Sequence, residues 1–540
     1  MGRRNQHERA ESRLESELVF TVKTDPAESV SETRVAPAWQ RLVPVVLPAG
    51  IVLVLGFLGL GKVELWRDEL ATWSAASRSI GQLAAMAPNI DAFYFPYYLF
   101  MHFWTAVFGD SAVAMRVPSV LAAAAAAAAV VGLVAGRLFG RFAGLCAGTL
   151  FALIPMVTRM AQEARPYAFV VLFAALSTWL LLRAVDEPRW GRWTLYGLGM
   201  TLLGASQLSA LALVAGHLVV VLVHGRRNFW RFAVAFAVAM LPLVPLAVLS
   251  LSEPEMVVHM LPAPDLLALF GVSHPFPPGS AVWPQMFRST AAAWIIVPLA
   301  LLAVVTGRRN RRDAWLAVGM FAAPIVAVWL VSQGPISVYW ARYLLFVLPS
   351  LAVAAGLRLA ALRWPVVSVA ALLAFAAVTI PDQAAVRSPD AHDAAFYPYT
   401  MFSERPGQYA SYERLAGVIS AGYRPGDAIV YSNRQGIWFA DTGIDYYLRG
   451  DRPRDVLLDR SAVQADNLWA VEHTDYATRL AGVRRVWVVG VGERRDPLAG
   501  SPLLFVQPAA PAEAAALRSG FTVSTVTTVP GFTVALMTAR

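Results

Sequence analysis

The chain has 540 residues, of which 57% are hydrophobic and only 15% charged, with a mean hydropathy of +0.52. Soluble globular chains carry roughly 25% charged residues, so this deficit excludes an ordinary water-solvated globule and calls for lipid around much of the chain. The net charge of +9 does not indicate nucleic acid, because the arginines sit in short gaps between apolar runs, as in cytoplasmic loops of membrane proteins. The single cysteine, Cys146, excludes an intrachain disulfide and a multi-thiolate metal site. It lies in an apolar run and reads as an inert packed thiol. Lys23 and Lys62 are the only lysines among many arginines and alanines, a skew of GC-rich genomes that points to a bacterium.

Residues 1–41 are polar and mixed in charge, and they read as a disordered cytoplasmic tail before a first span that serves as an uncleaved signal. Apolar runs long enough to cross a bilayer, roughly 17–25 residues, fall near 42–61, 116–135, 142–160, 166–183, 207–224, 231–250, 314–332, 340–357 and 364–380. The shorter runs 193–206 and 292–306 complete a set of about eleven spans. The alanine run Ala122–Ala129 reads as a small-residue face for close helix packing. The segment Phe93–Phe108 is apolar but holds Pro96, His102, Tyr94, Tyr97 and Tyr98. Parity decides its role. The loops with Arg137 and Arg141, with Arg183, Arg189 and Arg192, and with Arg226, Arg227 and Arg231 are cytoplasmic by the positive-inside rule. So are those with Arg308, Arg309, Arg311 and Arg312, and with Arg358 and Arg363. With the N-terminus also inside, 93–108 becomes an interfacial helix within one long outside loop, 62–115.

The predicted organisation is a tail over 1–41, a membrane module over 42–381 with a second large outside loop at 251–291, and an extracytoplasmic domain over 382–540. The last carries apolar runs at Ala428–Tyr431, Asp455–Leu458 and Val486–Val489 between helix-like stretches, the pattern of a small α/β domain. Arg424-Pro425-Gly426-Asp427 is a turn into the first strand. Gly490-Val491-Gly492-Glu493 lacks the third glycine of a dinucleotide loop.

Four outside helix ends carry candidate chemistry. Trp66-Arg67-Asp68-Glu69 follows the first span. Its two acids suit either the first turn of a helix, where they meet the dipole, or a reaction centre. Arg116-Val117-Pro118-Ser119 opens the second span, Gln162-Glu163-Ala164-Arg165-Pro166-Tyr167 joins two spans, and Tyr339-Trp340-Ala341-Arg342-Tyr343 opens another. Arg165 reads either as a headgroup-seeking side chain or, with Arg116 and Arg342, as a binder of lipid phosphate, which guanidinium pairs with in bidentate fashion. His274 in the second outside loop is either a solvated histidine or an aid to substrate binding. No zinc-spaced His/Cys cluster and no Gly-rich phosphate loop occurs.

The order Leu65-Trp66-Arg67-Asp68-Glu69, Phe95-Pro96-Tyr97-Tyr98, Arg116-Val117-Pro118-Ser119, Gln162 to Tyr167 and Arg342-Tyr343-Leu344-Leu345 resembles the GT-C membrane glycosyltransferases. The branch is that of protein O-mannosyltransferases and lipid A aminoarabinose transferases, with actinobacterial mannosyltransferase-type members nearest. The resemblance covers about residues 42–360. It implies a polyprenyl-phosphate sugar donor, transfer on the extracytoplasmic face with inversion, and a general base in the first outside loop. Phe95-Pro96 and Arg67 depart from the commonest pattern, which bears on the acceptor rather than the reaction class. On this reading Asp68 is the base, with Glu69 orienting it, and Arg116, Arg165 and Arg342 hold the donor phosphate. Tyr97, Tyr98, Glu163, Tyr167, His274 and Tyr343 would line the sugar or acceptor. Arginines suffice for the leaving phosphate, so no cofactor is expected, although Asp68 with Glu163 offers an alternative seat for a divalent cation. The partners expected are the bilayer, a lipid-linked sugar (mannose, by the resemblance) and an acceptor glycan, lipid or protein. The alternative from another class is a multi-pass transporter or lipid flippase, which an internal repeat with broken helices at midplane would mark.

Overall fold

The computed structural model describes residues 38–253, 261–274, 280–305, 311–388, 410–432, 434, 438–500 and 508–540. The expected disordered tail lies outside these residues, apart from its last few, which open the helix Ala38–Phe57. Of the second large loop, 254–260 and 275–279 lie outside them as well.

Each of the eleven apolar runs falls on a helix or on consecutive helical segments. Lipid offers backbone groups no partners, so an apolar run must satisfy them within itself. Tyr167–Asp186, Arg226–Ser252, Arg312–Val331, Ala341–Ala360 and Pro365–Ala385 are each long and apolar enough to cross a membrane. Leu42–Phe57, Ala112–Ala126, Leu208–His224 and Thr290–Val305 are shorter apolar helices. Arg141–Leu153 and Pro155–Ala161 together pass the same test but meet at 65°. The break has a local cause: Ile154 is extended (ψ 123°) ahead of Pro155, which disfavours helix at the preceding residue. It turns the chain so that Arg159, Gln162 and Glu163 leave the run of the helix axis. The ambiguous segment forms a helix, Phe95–Phe108, of 14 residues. At 1.5 Å per residue that is about 21 Å, short of the ~30 Å hydrocarbon core.

Small residues allow close helix crossings. A Cβ on Gly356 would lie 2.5 Å from the Cα of Ala147, so Leu348–Ala360 and Arg141–Leu153 touch backbone to backbone. Ala122, Ala123, Ala124, Ala126 and Ala127 are buried, the packing face expected of that run. Cys146 is buried and free. His217 ties three helices, with Nε2 3.0 Å from Thr178 Oγ1 and Nδ1 3.1 Å from the Tyr196 hydroxyl.

The C-terminal region is an α/β domain. Its strands are β1 (Ala428–Tyr431), β2 (Arg454–Asp455), β3 (Leu458–Arg460), β4 (Val471–Glu472), β5 (Arg485–Val491), β6 (Phe521–Val529) and β7 (Phe532–Ala539). The main sheet runs β2-β1-β5-β7-β6, with β2, β1 and β5 parallel and the β6–β7 hairpin antiparallel. The expected strand Asp455–Leu458 is a correction. It breaks at Val456–Leu457, both buried, and its ends join different sheets. The domain does not stand apart from the membrane module: Leu65, Leu70, Tyr98 and Met115 share one core with Tyr412, Leu415, Trp438 and Ile444.

Candidate active site

The chain leaves its first helix at Phe57 and reaches Trp66, whose extended backbone (φ −94°, ψ 173°) opens the helix Arg67–Ala76. Asp68 and Glu69 stand in its first turn, where acids suit the dipole. Successive helical residues point about 100° apart, and the two carboxylates meet different surroundings.

Glu69 is wholly buried. Its Oε1 accepts from Arg116 Nε at 2.8 Å and from the Ala164 amide at 2.8 Å, and its Oε2 accepts from Arg116 Nη2 at 2.6 Å. Arg116 also donates to the carbonyls of Leu60 (2.9 Å), Val63 (2.7 Å) and Glu64 (3.0 Å). A guanidinium has five N–H groups, and these five contacts use them. Arg116, expected at the donor phosphate, thus spends its N–H groups on Glu69 and on the loop that carries the acids.

Asp68 keeps 19% of its side chain exposed. Arg342 Nη1 approaches its Oδ2 at 3.2 Å and Arg67 Nε its Oδ1 at 3.5 Å. Burial pushes the Asp68 carboxyl up, but the positive charges of Arg165, Arg67 and Arg342 outweigh it and hold the group below the usual carboxylate range. Arg165 is buried, with its guanidinium 4.0 Å from the Tyr94 ring centroid, and Nη1 reaches the Asp68 carbonyl (3.2 Å) and the Tyr98 hydroxyl (3.3 Å). Tyr98 in turn donates to Asp91 Oδ2 at 2.6 Å.

Beside Asp68 opens a cavity lined by Trp66, Arg159, Glu163, Tyr167, Gln285, Arg288, Trp340 and Arg342, with Met156, Met160, Ala341 and Leu345 as its apolar wall. Arg159 lies 3.7 Å from Glu163, and Arg342 lies over the Trp340 ring at 4.4 Å. Arg288 ends the helix Val282–Phe287 in the left-handed region (φ 51°), a conformation costly for a residue other than glycine and often found at ligand sites. Three arginines and one acid make the lining cationic. Burial pushes the Glu163 carboxyl up, Glu69 and Asp68 add to this, and Arg159 and Arg342 offset it only in part. Two carboxyl groups near one cavity are thus driven in opposite directions, as in sites that divide base and acid roles between two carboxyls.

Of the candidate residues, the structure brings Glu163, Tyr167 and Arg342 to the cavity lining and Asp68 against Arg342. It sets others apart from the cavity lining. Arg165 and Tyr98 brace Asp68 and its neighbours. Tyr97 packs on Phe100 and Phe169. Tyr343 stacks edge-on to Trp340, and its carbonyl accepts from Gln207. His274 is buried, and its Nε2 accepts from the Ala341 amide at 3.1 Å, so it holds the Trp340–Arg342 turn. Arg159, Arg288 and Gln285 escaped the sequence reading. Arg159 had a signal, since an ionisable residue inside an apolar run is a default site candidate. Arg288 and Gln285 sit beyond the proline-rich loop, and nothing local marks them. Among the described residues no group of three or more His, Cys, Asp or Glu side chains is placed to hold a metal.

Residues 95–250 match the model of the dolichyl-phosphate-mannose-protein mannosyltransferase family. No curated protein matches the chain. Among solved structures, ArnT from Cupriavidus metallidurans bound to undecaprenyl phosphate matches with a TM-score of 0.57 at 16% identity, over 91% of this chain and 97% of that one. The apo state of the same protein matches with a TM-score of 0.55 at 16% identity and the same coverage. The fold is that of the GT-C class, as the motif order implied. The chain shares the fold of these structures, and residues 95–250 carry its likeness to the mannosyltransferase family.

Proposed function

We propose that the chain transfers a sugar, mannose by the family match, from a polyprenyl-phosphate donor to an acceptor hydroxyl. The carrying observation is the cationic cavity whose Arg342 also contacts Asp68. The ArnT structure that shares this fold was obtained with undecaprenyl phosphate, which supports a lipid-linked donor. The phosphate rests against Arg159, Arg288 and Arg342, and the aromatic walls of Trp66, Tyr167 and Trp340 take the sugar. The acceptor oxygen attacks the anomeric carbon from the face opposite the phosphate. The new C–O bond forms as the bond to the phosphate oxygen breaks, so the configuration inverts. The hydroxyl proton passes to Asp68, and polyprenyl phosphate leaves. The depressed carboxyl keeps Asp68 ionised, and the hydroxyl acidifies as its bond forms, so a weak base suffices. Negative charge grows on the leaving phosphate, where preorganised arginines act most strongly. They meet that need without a metal.

Glu69 and Arg116 orient the loop. By the distribution of arginines between loops, the cavity and the C-terminal domain face away from the cytoplasm. The transporter reading finds no support in the comparisons. Asp68→Asn keeps size and removes the proton acceptor. Transfer from a lipid-linked donor in reconstituted membranes is expected to fall by roughly 10²–10⁴-fold. Near-normal turnover by a folded, inserted variant overturns the assignment. Retained activity after exhaustive chelation is the expected result for the metal-free reaction.

A further inference from the structure

We propose that Tyr447 of the C-terminal domain is a positioning residue for Asp68, which makes that domain part of the catalytic apparatus; this rests on Asp68 being the base. The segment leading into the Asp68 helix is gripped from two sides. From the membrane module, Arg116 takes the carbonyls of Leu60, Val63 and Glu64. From the C-terminal domain, the Tyr447 hydroxyl accepts the Leu65 amide at 2.6 Å. One residue earlier, Glu64 Oε2 accepts the Glu413 amide at 2.8 Å, in the first turn of the helix Tyr412–Gly422. Carboxylates are favoured at such a helix start. The Leu65 side chain is fully buried between the two.

The element bearing Tyr447 is itself anchored to the membrane module. The helix Ala440–Tyr447 packs on Arg67–Ala76. Tyr446 meets Trp73 edge to face at 5.2 Å and donates to the Asp110 carbonyl at 3.1 Å. Asp110 also takes Trp73 Nε1 (2.9 Å) and Arg449 (3.0 Å). Tyr447 is therefore a fixed point, and Leu65 hangs from it three residues before Asp68. A displacement of about 1 Å at a reacting group costs on the order of 10²-fold in rate. A single hydrogen bond that sets where the helix begins thus has leverage on the chemistry while contributing little to the large shared core.

Tyr447→Phe deletes the acceptor and keeps the ring. In the full-length enzyme, kcat is expected to fall about tenfold or more, with donor KM within about twofold and the thermal transition unchanged. In the Asp68→Asn background the same change is expected to have no further effect on the residual rate, because both act through one group. Glu64→Gln retains an acceptor for the Glu413 amide and is expected to keep kcat, whereas Glu64→Ala lowers it. Unchanged kcat in Tyr447→Phe, a loss that tracks donor KM or melting, or additivity with Asp68→Asn each overturns the proposal. If Asp68→Asn alone is near-normal, the base assignment fails instead; a dead Asp68→Asn beside a fully active Tyr447→Phe leaves the base standing and removes only Tyr447.

Discussion

Two ion pairs stand one residue apart in the chain and differ in almost every physical respect. Glu69 and Arg116 are sealed, 0% and 1% exposed, and all five N–H groups of the guanidinium are matched. Asp68 and Arg342 meet at 3.2 Å and keep 19% and 17% exposure, and Arg342 lines a cationic cavity. A saturated pair has nothing left to offer a ligand, so its role is to join elements. A partly exposed pair whose arginine lines a cavity stands where a ligand can reach it, which is what a reaction centre needs. Charge type alone does not separate the two; burial and access to the cavity do.

The sharpest way to break that comparison is to exchange the outcomes. Arg116→Ala strands a buried carboxylate and is expected to cost about 3–5 kcal/mol of stability, seen as loss of folded protein in a thermal melt by size-exclusion. If it melts normally and loses only turnover, Arg116 belongs to the chemistry. Arg342→Lys keeps the charge but loses the planar fork. It is expected to reduce transfer by about 10²-fold with an unchanged melt, measured as kcat with a synthetic polyprenyl-phosphate sugar. A change confined to melting would move Arg342 to the joining class.

Smaller effects test the divergent carboxyl groups. Burial pushes the Glu163 carboxyl up, so it ionises at higher pH than an ordinary glutamate and then no longer carries an O–H donor. Activity is expected to decline on the alkaline side, and Glu163→Gln is expected to retain most activity and flatten that limb in a pH–rate profile. An unchanged limb rejects this role. The smallest effect concerns Glu64, raised from 4.5 to about 7 chiefly by burial. The folded state then holds the proton more tightly than the unfolded chain, so stability is full below pH 4.5 and falls as pH rises toward about 7. Glu64→Gln is expected to remove that slope, on the order of 1 kcal/mol after screening, in melts taken across the range.

Much of the architecture is legible in the residues. The apolar runs locate the helices because lipid leaves the backbone no other solution, and Pro155 marks the bend that brings Glu163 to the site. The run Val486–Val489 predicts β5, buried from Val486 through Val491. The run at Asp455–Leu458 misleads, since periodicity cannot say that Val456 and Leu457 pass between two sheets. The hairpin β6–β7 gives a weak signal because β6 is an edge strand, exposed from Thr522 to Thr528 and rich in threonine. At the site, the acid and arginine motifs contain Asp68, Glu163 and Arg342, which the structure places near one another. They do not distinguish an arginine that lines a cavity from one that ties down a loop, and so Arg116 stands for Arg159 and Arg288.

The membrane class, the positions of the helices, the strand β1 and the loop that bears Asp68 follow from the amino-acid sequence, because they depend on hydrophobicity and local backbone preference. The division of labour between Asp68 and Glu69 does not. Neighbouring helical residues diverge by about 100°, and what each meets is set by Arg116, 47 residues on, and Arg342, 274 residues on. The grip of Tyr447 on Leu65 reaches across 382 residues. Partners that distant come together only when the helices and the C-terminal domain pack, and that packing decides which acid is a joint and which meets an arginine of the cavity.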